Sequence, residues 1–159
     1  ACVAGVGATG DAGSLTGIPA DGEGLTRAIR AALADAQLAP EAVAYVNAHG
    51  TATRIGDRAE TAALIGAFGR HAARLAVSST KSMTGHLLGA VGGIEAILCT
   101  LALEHQMAPP TINLETPDSE CDLDYVVGVA RPLTMPVALS TSMGFGGNNA
   151  CLLFERASS

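Results

Sequence analysis

Short runs of branched apolar residues alternate with longer segments whose apolar positions step by three and four. That alternation limits the fold more than any other feature of the chain. Residues 2–8 form the first short apolar run, and Asp11 to Gly24, rich in Gly, Ser, Thr and Pro, reads as a loop. Leu25, Ile29, Leu33 and Ala36 then recur at helical spacing, predicting an amphipathic helix over 23–37 that closes before Pro40. Ala42 to Ala48 reads as a buried strand. Asp57 to Phe68 reads as a helix with Thr61, Leu64, Ile65 and Phe68 on one stripe and Gly69 as its stop. Leu75 to Ser78 is a third strand. The longest helix is predicted near 84–104, where Leu87, Val91, Ile94, Leu98 and Leu101 mark the apolar stripe. Gly89, Gly92 and Gly93 interrupt it, each costing about 1 kcal/mol relative to Ala, so close packing against another element is expected there. Further strands fall near 124–128, 137–142 and 150–155. Strands and helices in this order make an α/β sandwich with a mixed, largely buried sheet.

With 159 residues the chain fits one domain, and 48% hydrophobic against 15% charged residues excludes a disordered segment. Nineteen glycines, many alanines and few aromatics mean a core of small and aliphatic side chains. A net charge of −6 argues against nucleic acid as partner, because phosphate binding needs clustered Lys and Arg. Counted as uncharged apolar residues, no stretch reaches the roughly 18 of a membrane span, and no signal peptide is visible. No membrane partner is expected. Cys2, Cys99, Cys121 and Cys151 are scattered without a CxxC, as in reduced thiols of a cytoplasmic protein, and no metal site is expected. The chain opens without Met and inside a strand, as an excised or nicked fragment would.

Three segments carry chemical promise. Asn47-Ala48-His49-Gly50-Thr51-Ala52-Thr53 follows a buried strand, where open α/β sheets place ligands. It offers an imidazole and two hydroxyls to a crevice, although a strand-end His bonded to a carbonyl gives the same pattern. Ser78 to His86 leads from a strand into the long helix, with His86 in its first turn. There the helix dipole and Lys81 would disfavour imidazole protonation, leaving a neutral N–H donor for a developing oxyanion. A capping His beside a solvated Lys is the plainer reading. Ser140 to Asn149 joins two strands through Gly144-Phe145-Gly146-Gly147, a turn whose backbone N–H groups can bind an oxyanion. An ordinary glycine-rich hairpin fits too. It is not a phosphate loop, since the Lys-Ser/Thr end is missing.

Asp57 and Glu60 stand as Asp-x-x-Glu before an apolar run, which resembles a capping box and is compatible with a polar-network role. Glu95 lies near the apolar stripe of the long helix. A carboxylate there is expensive to bury alone, and Lys81 is the expected partner.

Taken together, VNAHGTATRIGDRAE, SSTKSMTGHLLGAVGGIEA, PPTINLETPDSECDLDYV and SMGFGGNN resemble, in order and spacing, the condensing enzymes of the thiolase-like superfamily. The match is to the elongating β-ketoacyl-acyl-carrier-protein synthases, over nearly the whole chain. The resemblance implies a thiolase-like half with a mixed five-stranded sheet and helices packed on it, residues 1–159 being the C-terminal domain. It implies a catalytic His49 and His86 with a supporting Lys81, and an acidic network of Asp57, Glu60 and Glu95. Thr51 and Thr53 would hold the pantetheine arm, and Phe145 would gate the site and lend its backbone N–H to the oxyanion hole. The activity implied is decarboxylative Claisen condensation of an acyl thioester with malonyl-acyl-carrier protein, in fatty-acid or polyketide synthesis. No cofactor is needed beyond the phosphopantetheine of the carrier protein. The implied partners are the N-terminal half with the nucleophilic Cys, the acyl carrier protein, and a second subunit in a homodimer or heterodimer.

Thr141 and Met143 stand where the family usually has Asn and Phe, and Asn148 where Thr is common. None of the four cysteines has the family's strand-to-helix elbow setting, so each is expected to be structural and the chain inactive alone. A non-catalytic subunit of the chain-length-factor type is the alternative, and retention of His49, His86 and Lys81 favours the synthase. A degradative thiolase would carry a Cys in the glycine-rich turn, and Gly144-Phe145-Gly146-Gly147 has none.

Overall fold

In the computed structural model, which describes residues 1–157, the elements follow the expected order. They are β1 (Cys2–Gly10), α1 (Glu23–Ala36), β2 (Val43–Asn47), α2 (Arg54–Phe68), β3 (Ala76–Ser78), the one-turn α3 (Lys81–Thr84), α4 (Val91–His105), β4 (Met107–Ala108), β5 (Asp124–Tyr125), β6 (Arg131–Pro132), β7 (Val137–Gly144) and β8 (Asn148–Glu155). The sheet runs β1-β8-β7-β2-β3-β5, with β4 and β6 paired apart from it. It is mixed: β2 is parallel to β3 and β7, and β3 to β5, while β8 is antiparallel to β1 and β7. It has six strands rather than five, because the run near 124–128 adds two residues at the edge. The last two residues of the expected 1–159 domain lie outside the described residues.

Strand alternation splits the core into two layers. On one face, Leu25, Ile29 and Leu33 of α1 and Leu64 and Phe68 of α2 pack on Val43, Val46, Val77, Leu139 and Leu153. On the other, Cys99, Ala102 and Leu103 of α4 pack with Tyr45, Ala138 and Phe154. A Cβ at Gly7 would stand 2.0 Å from the Ala28 carbonyl oxygen, so only glycine lets β1 lie this close to the backbone of α1.

The long helix departs from expectation. Gly85 and Leu88 both have positive φ, 74° and 52°, which a right-handed helix cannot contain. The expected 84–104 element therefore divides into α3, a bend, a 3₁₀ turn over Leu88–Ala90, and α4 from Val91. Its buried face is Val91, Glu95, Cys99, Ala102 and Leu103, while Leu87 and Leu101 of the expected stripe are exposed. No other group lies within 4 Å of where a Cβ would sit on Gly89, Gly92 or Gly93, so the close packing expected there is not supplied by the described residues. Leu88–His105 has the length and apolar composition of a membrane span, although Glu95 and Glu104 leave no uncharged stretch of that length within it, and core helices of soluble proteins share that composition. In α2, Ile65 is exposed although it was expected on the buried stripe.

Candidate active site

Parallel pairing brings three strand ends to one edge of the sheet, with Asn47 of β2 opposite both Ser78 of β3 and Ser140 of β7. The chain leaving each strand supplies site residues: His49 after β2, Lys81 and His86 after β3, and Thr141 near the end of β7. His49 is 6% exposed and His86 is open to solvent, and their ring centroids lie 5.7 Å apart at an interplanar angle of 86°.

The two imidazoles are held differently. Burial, reinforced by the Lys81 charge and then by His86, pushes His49 down to about 4, so it is neutral at pH 7. His86 lies in the bend, not in the first turn of a helix, and the dipole reasoning for it does not apply because α4 starts at Val91. Instead the Leu88 N–H donates to His86 Nδ1 at 3.1 Å, which places the ring proton on Nε2. The left-handed conformation of Leu88 belongs to the same bend.

Glu60 does not close a capping box on Asp57. α2 begins three residues earlier, and its N-cap is Thr53 without a side-chain bond. Glu60 reaches back to the turn that carries His49, where Oε1 accepts the His49 N–H at 2.8 Å and Oε2 the Gly50 N–H at 2.9 Å. Burial raises the Glu60 pKa, opposed by Thr141, by these two amides and by Lys81. From the other side, Ser79 Oγ donates to the Gly50 carbonyl at 2.8 Å. Gly50 has φ +35°, and a Cβ there would meet Ser79 Cβ at 2.5 Å. Lys81 and Glu95 form a buried ion pair, the partnership expected from the sequence, with Glu95 Oε2 left without a protein partner. Burial raises the Asp57 pKa, and its Oδ1 is buried without a hydrogen-bond partner.

A cavity of about 640 Å³ is lined among others by Thr51, Arg54, Asp57, Lys81, His86 and Asn113; His49 does not line it. Its far wall is the 111–121 segment, tied to α2 by Arg58, which pairs with Asp118 at 2.9 Å and Glu120 at 2.7 Å. Thr51 and Thr53 lie at the rim with hydroxyls 3.5 Å apart, and of the two only Thr51 lines the cavity. Phe145, at the tip of the β7–β8 hairpin, is 80% exposed, and it does not line the cavity. The hairpin is tied to the loop after β1: the Gly146 N–H donates to the Leu15 carbonyl, and Asn149 Nδ2 donates to Asp11 Oδ1 at 2.7 Å. Cys99 and Cys151 are buried, the former thiol pushed up to about 12 and the latter higher still, both by desolvation. Among the described residues no group of three or more His, Cys, Asp or Glu side chains could hold a metal ion.

Sequence reasoning did not assign a site role to Thr141, Ser79 or the Leu88 amide. Thr141 had been marked only as a departure from the usual Asn, and the backbone bond at Leu88 leaves no trace in side-chain pattern.

Three strand ends thus gather two imidazoles 5.7 Å apart and a buried Lys–Glu pair at one end of the sheet. Residues 1–115 match the model of the β-ketoacyl synthase C-terminal domain, and the chain belongs to that family. It is 57% identical over 148 residues to 3-oxoacyl-[acyl-carrier-protein] synthase 2 of Synechocystis sp., covering 93% of this chain and 36% of that protein. To the synthase of the same name from Staphylococcus aureus it is 51% identical over 154 residues, covering 97% of this chain and 37% of the relative. Among solved structures it superimposes with a TM-score of 0.96 and 38% identity on a type II polyketide-synthase ketosynthase in complex with its acyl-carrier protein and bound to a hexaketide, covering 98% of this chain and 38% of that one. The chain thus spans little more than a third of the length of the curated relatives it matches.

Proposed function

We propose that the chain is the C-terminal half of an elongating 3-oxoacyl-acyl-carrier-protein synthase, which condenses an acyl thioester with malonyl-acyl-carrier protein. The observation that carries this reading is the convergence of two imidazoles 5.7 Å apart, one of them neutral and buried. When the malonyl carboxylate leaves as CO2, the electron pair of the broken C–C bond passes to the thioester as an enolate. Negative charge then develops on the thioester oxygen. N–H donors aimed at that oxygen stabilise the transition state more than the ground state, and losing one such donor typically slows a reaction about 100–1000-fold. His86, with Nδ1 occupied by the Leu88 amide, presents Nε2–H as one donor, and His49 is the other. The enolate carbon attacks the acyl carbonyl on the cysteine of the N-terminal half. A C–C bond forms and the cysteine thiolate leaves.

Burial, reinforced by the charge of Lys81 that Glu95 holds in place, keeps His49 unprotonated. Glu60 and Asp57 brace the turn after β2, Thr51 and Thr53 contact the pantetheine arm, and Phe145 gates the oxyanion hole. No cysteine of this chain serves as the nucleophile, a reading supported by the burial of Cys99 and Cys151. The chain therefore acts only with its N-terminal half, in a cytoplasmic dimer served by the acyl carrier protein.

The test separates the two half-reactions in the complete enzyme. His49→Ala or His86→Ala should abolish malonyl decarboxylation, about 100-fold or more, while acyl transfer to the cysteine continues near the unmodified rate. Equal loss of both steps would remove the histidines from these roles.

A further inference from the structure

We propose that Thr141 is a positioning residue for His49, acting through Glu60. The inference rests on the condensing role argued above and goes beyond it by assigning a function to a side chain that departs from the usual Asn.

Thr141 sits on β7, paired with Cys151 of β8, and is fully buried. Its Oγ1 donates to Glu60 Oε1 at 2.5 Å. Thr141 Oγ1 in turn accepts from the His49 N–H at 3.1 Å, while that N–H also donates to Glu60 Oε1 at 2.8 Å. One backbone amide, one carboxylate oxygen and one hydroxyl thus close a triangle at the residue that bears the imidazole. Gly50 fixes the other carboxylate oxygen. A β-branched side chain in a strand has restricted χ1 freedom, so Thr141 fixes the lateral position of Glu60 from a rigid element, and Glu60 fixes the turn. The 5.7 Å spacing of the two rings is set at His49 by this triangle. Nothing else among the described hydrogen bonds ties Glu60 to β7.

A hydroxyl that only filled space would, on removal, weaken the fold and slow both half-reactions alike. A hydroxyl that positions His49 slows only the step in which His49 meets charge. The complete synthase carrying Thr141→Val, which keeps shape and loses the hydroxyl, is assayed for malonyl-acyl-carrier-protein decarboxylation and, by intact mass, for acylation of the enzyme. Decarboxylation kcat should fall about 10- to 100-fold, the scale of a reacting group misplaced by up to an ångström, with KM and acylation little changed. Thr141→Ser should restore the rate, and T141V combined with E60Q should be no slower than E60Q alone. T141V at the unmodified rate, equal slowing of both half-reactions, or T141S as slow as T141V would overturn the proposal. Should T141V fail to fold, Thr141→Cys, close in size with a weak donor, carries the same expectation, and an unchanged rate there overturns it. An unmodified complete enzyme without decarboxylation would overturn the condensing assignment and this inference together. An active one with equally active T141V overturns this inference alone.

Discussion

At the residue scale, an imidazole buried beside a lysine has a definite consequence for pH. His49 titrates near 4 in the folded protein against 6.5 when free. Between those values the unfolded chain takes up a proton that the folded chain refuses. Stability contributed at this site is therefore complete above pH 6.5 and declines as pH falls toward 4, by about 1.4 kcal/mol per unit. Imidazole NMR on the complete synthase should place the His49 midpoint near 4. The stability difference between the unmodified enzyme and His49→Gln should shift against the unmodified enzyme as pH drops through that window. A midpoint near 6.5 would show that the ring is not held as described. Glu60, Glu95 and Asp57, whose pKa values are raised by burial, shift stability in the opposite direction in acid, and the comparison with His49→Gln cancels them. The Lys81–Glu95 pair gives a second expectation. Glu95→Gln leaves Lys81 charged and unpaired in a buried site, and breaking such a pair costs about 3–5 kcal/mol. Chemical denaturation should show that loss.

At the scale of elements, what the sequence revealed depended on how local the cause was. The strand runs at 42–48 and 75–78 were legible because short length and apolar content are local, and with them came the strand-end placement of His49. The helix near 84–104 was drawn too long because its stripe of leucines continues through a bend fixed by two backbone dihedrals. Gly85 permits positive φ without announcing it, and Leu88 adopts it against its own preference. The buried face of α4 was missed for a related reason. Its apolar residues surround the helix, so periodicity cannot choose a side, and only the sheet selects Glu95 and Cys99 for the interior. Thr141 could be marked as unusual but not given a task, because its partner Glu60 is 81 residues away in sequence. Close approach of α1 to β1 gives an expectation at this scale. Gly7→Ala puts a methyl 2.0 Å from a backbone oxygen, which cannot yield as a flexible side chain would. The substitution should destabilise by about 1–3 kcal/mol, the usual range for overpacking, as read from the urea midpoint.

At the scale of the whole molecule, the α4 side of the sheet is covered by one helix whose outer surface is itself apolar. Ile97 is 57% exposed, Leu101 one turn on is exposed too, and Val6 on β1, opposite Leu152, is half exposed on the same side of the sheet. Gly92 and Gly93 at the start of α4, and Gly89 in the turn before it, have open space where a side chain would stand. A helix apolar all round belongs inside a larger core, and on the proposed reading the N-terminal half supplies that core. Two expectations of opposite sign follow from this surface. Residues 1–159 produced alone should bind a dye of exposed apolar surface and self-associate, and Ile97→Lys with Leu101→Lys should reduce both. In the complete synthase the same pair of substitutions should destabilise, since burying each side chain contributes about 1.5–3 kcal/mol and a buried lysine adds its own desolvation cost. Light scattering on the isolated chain and thermal unfolding of the whole enzyme read the two arms. If the double substitution leaves the complete enzyme as stable as before, α4 faces solvent there and the halves meet on some other surface.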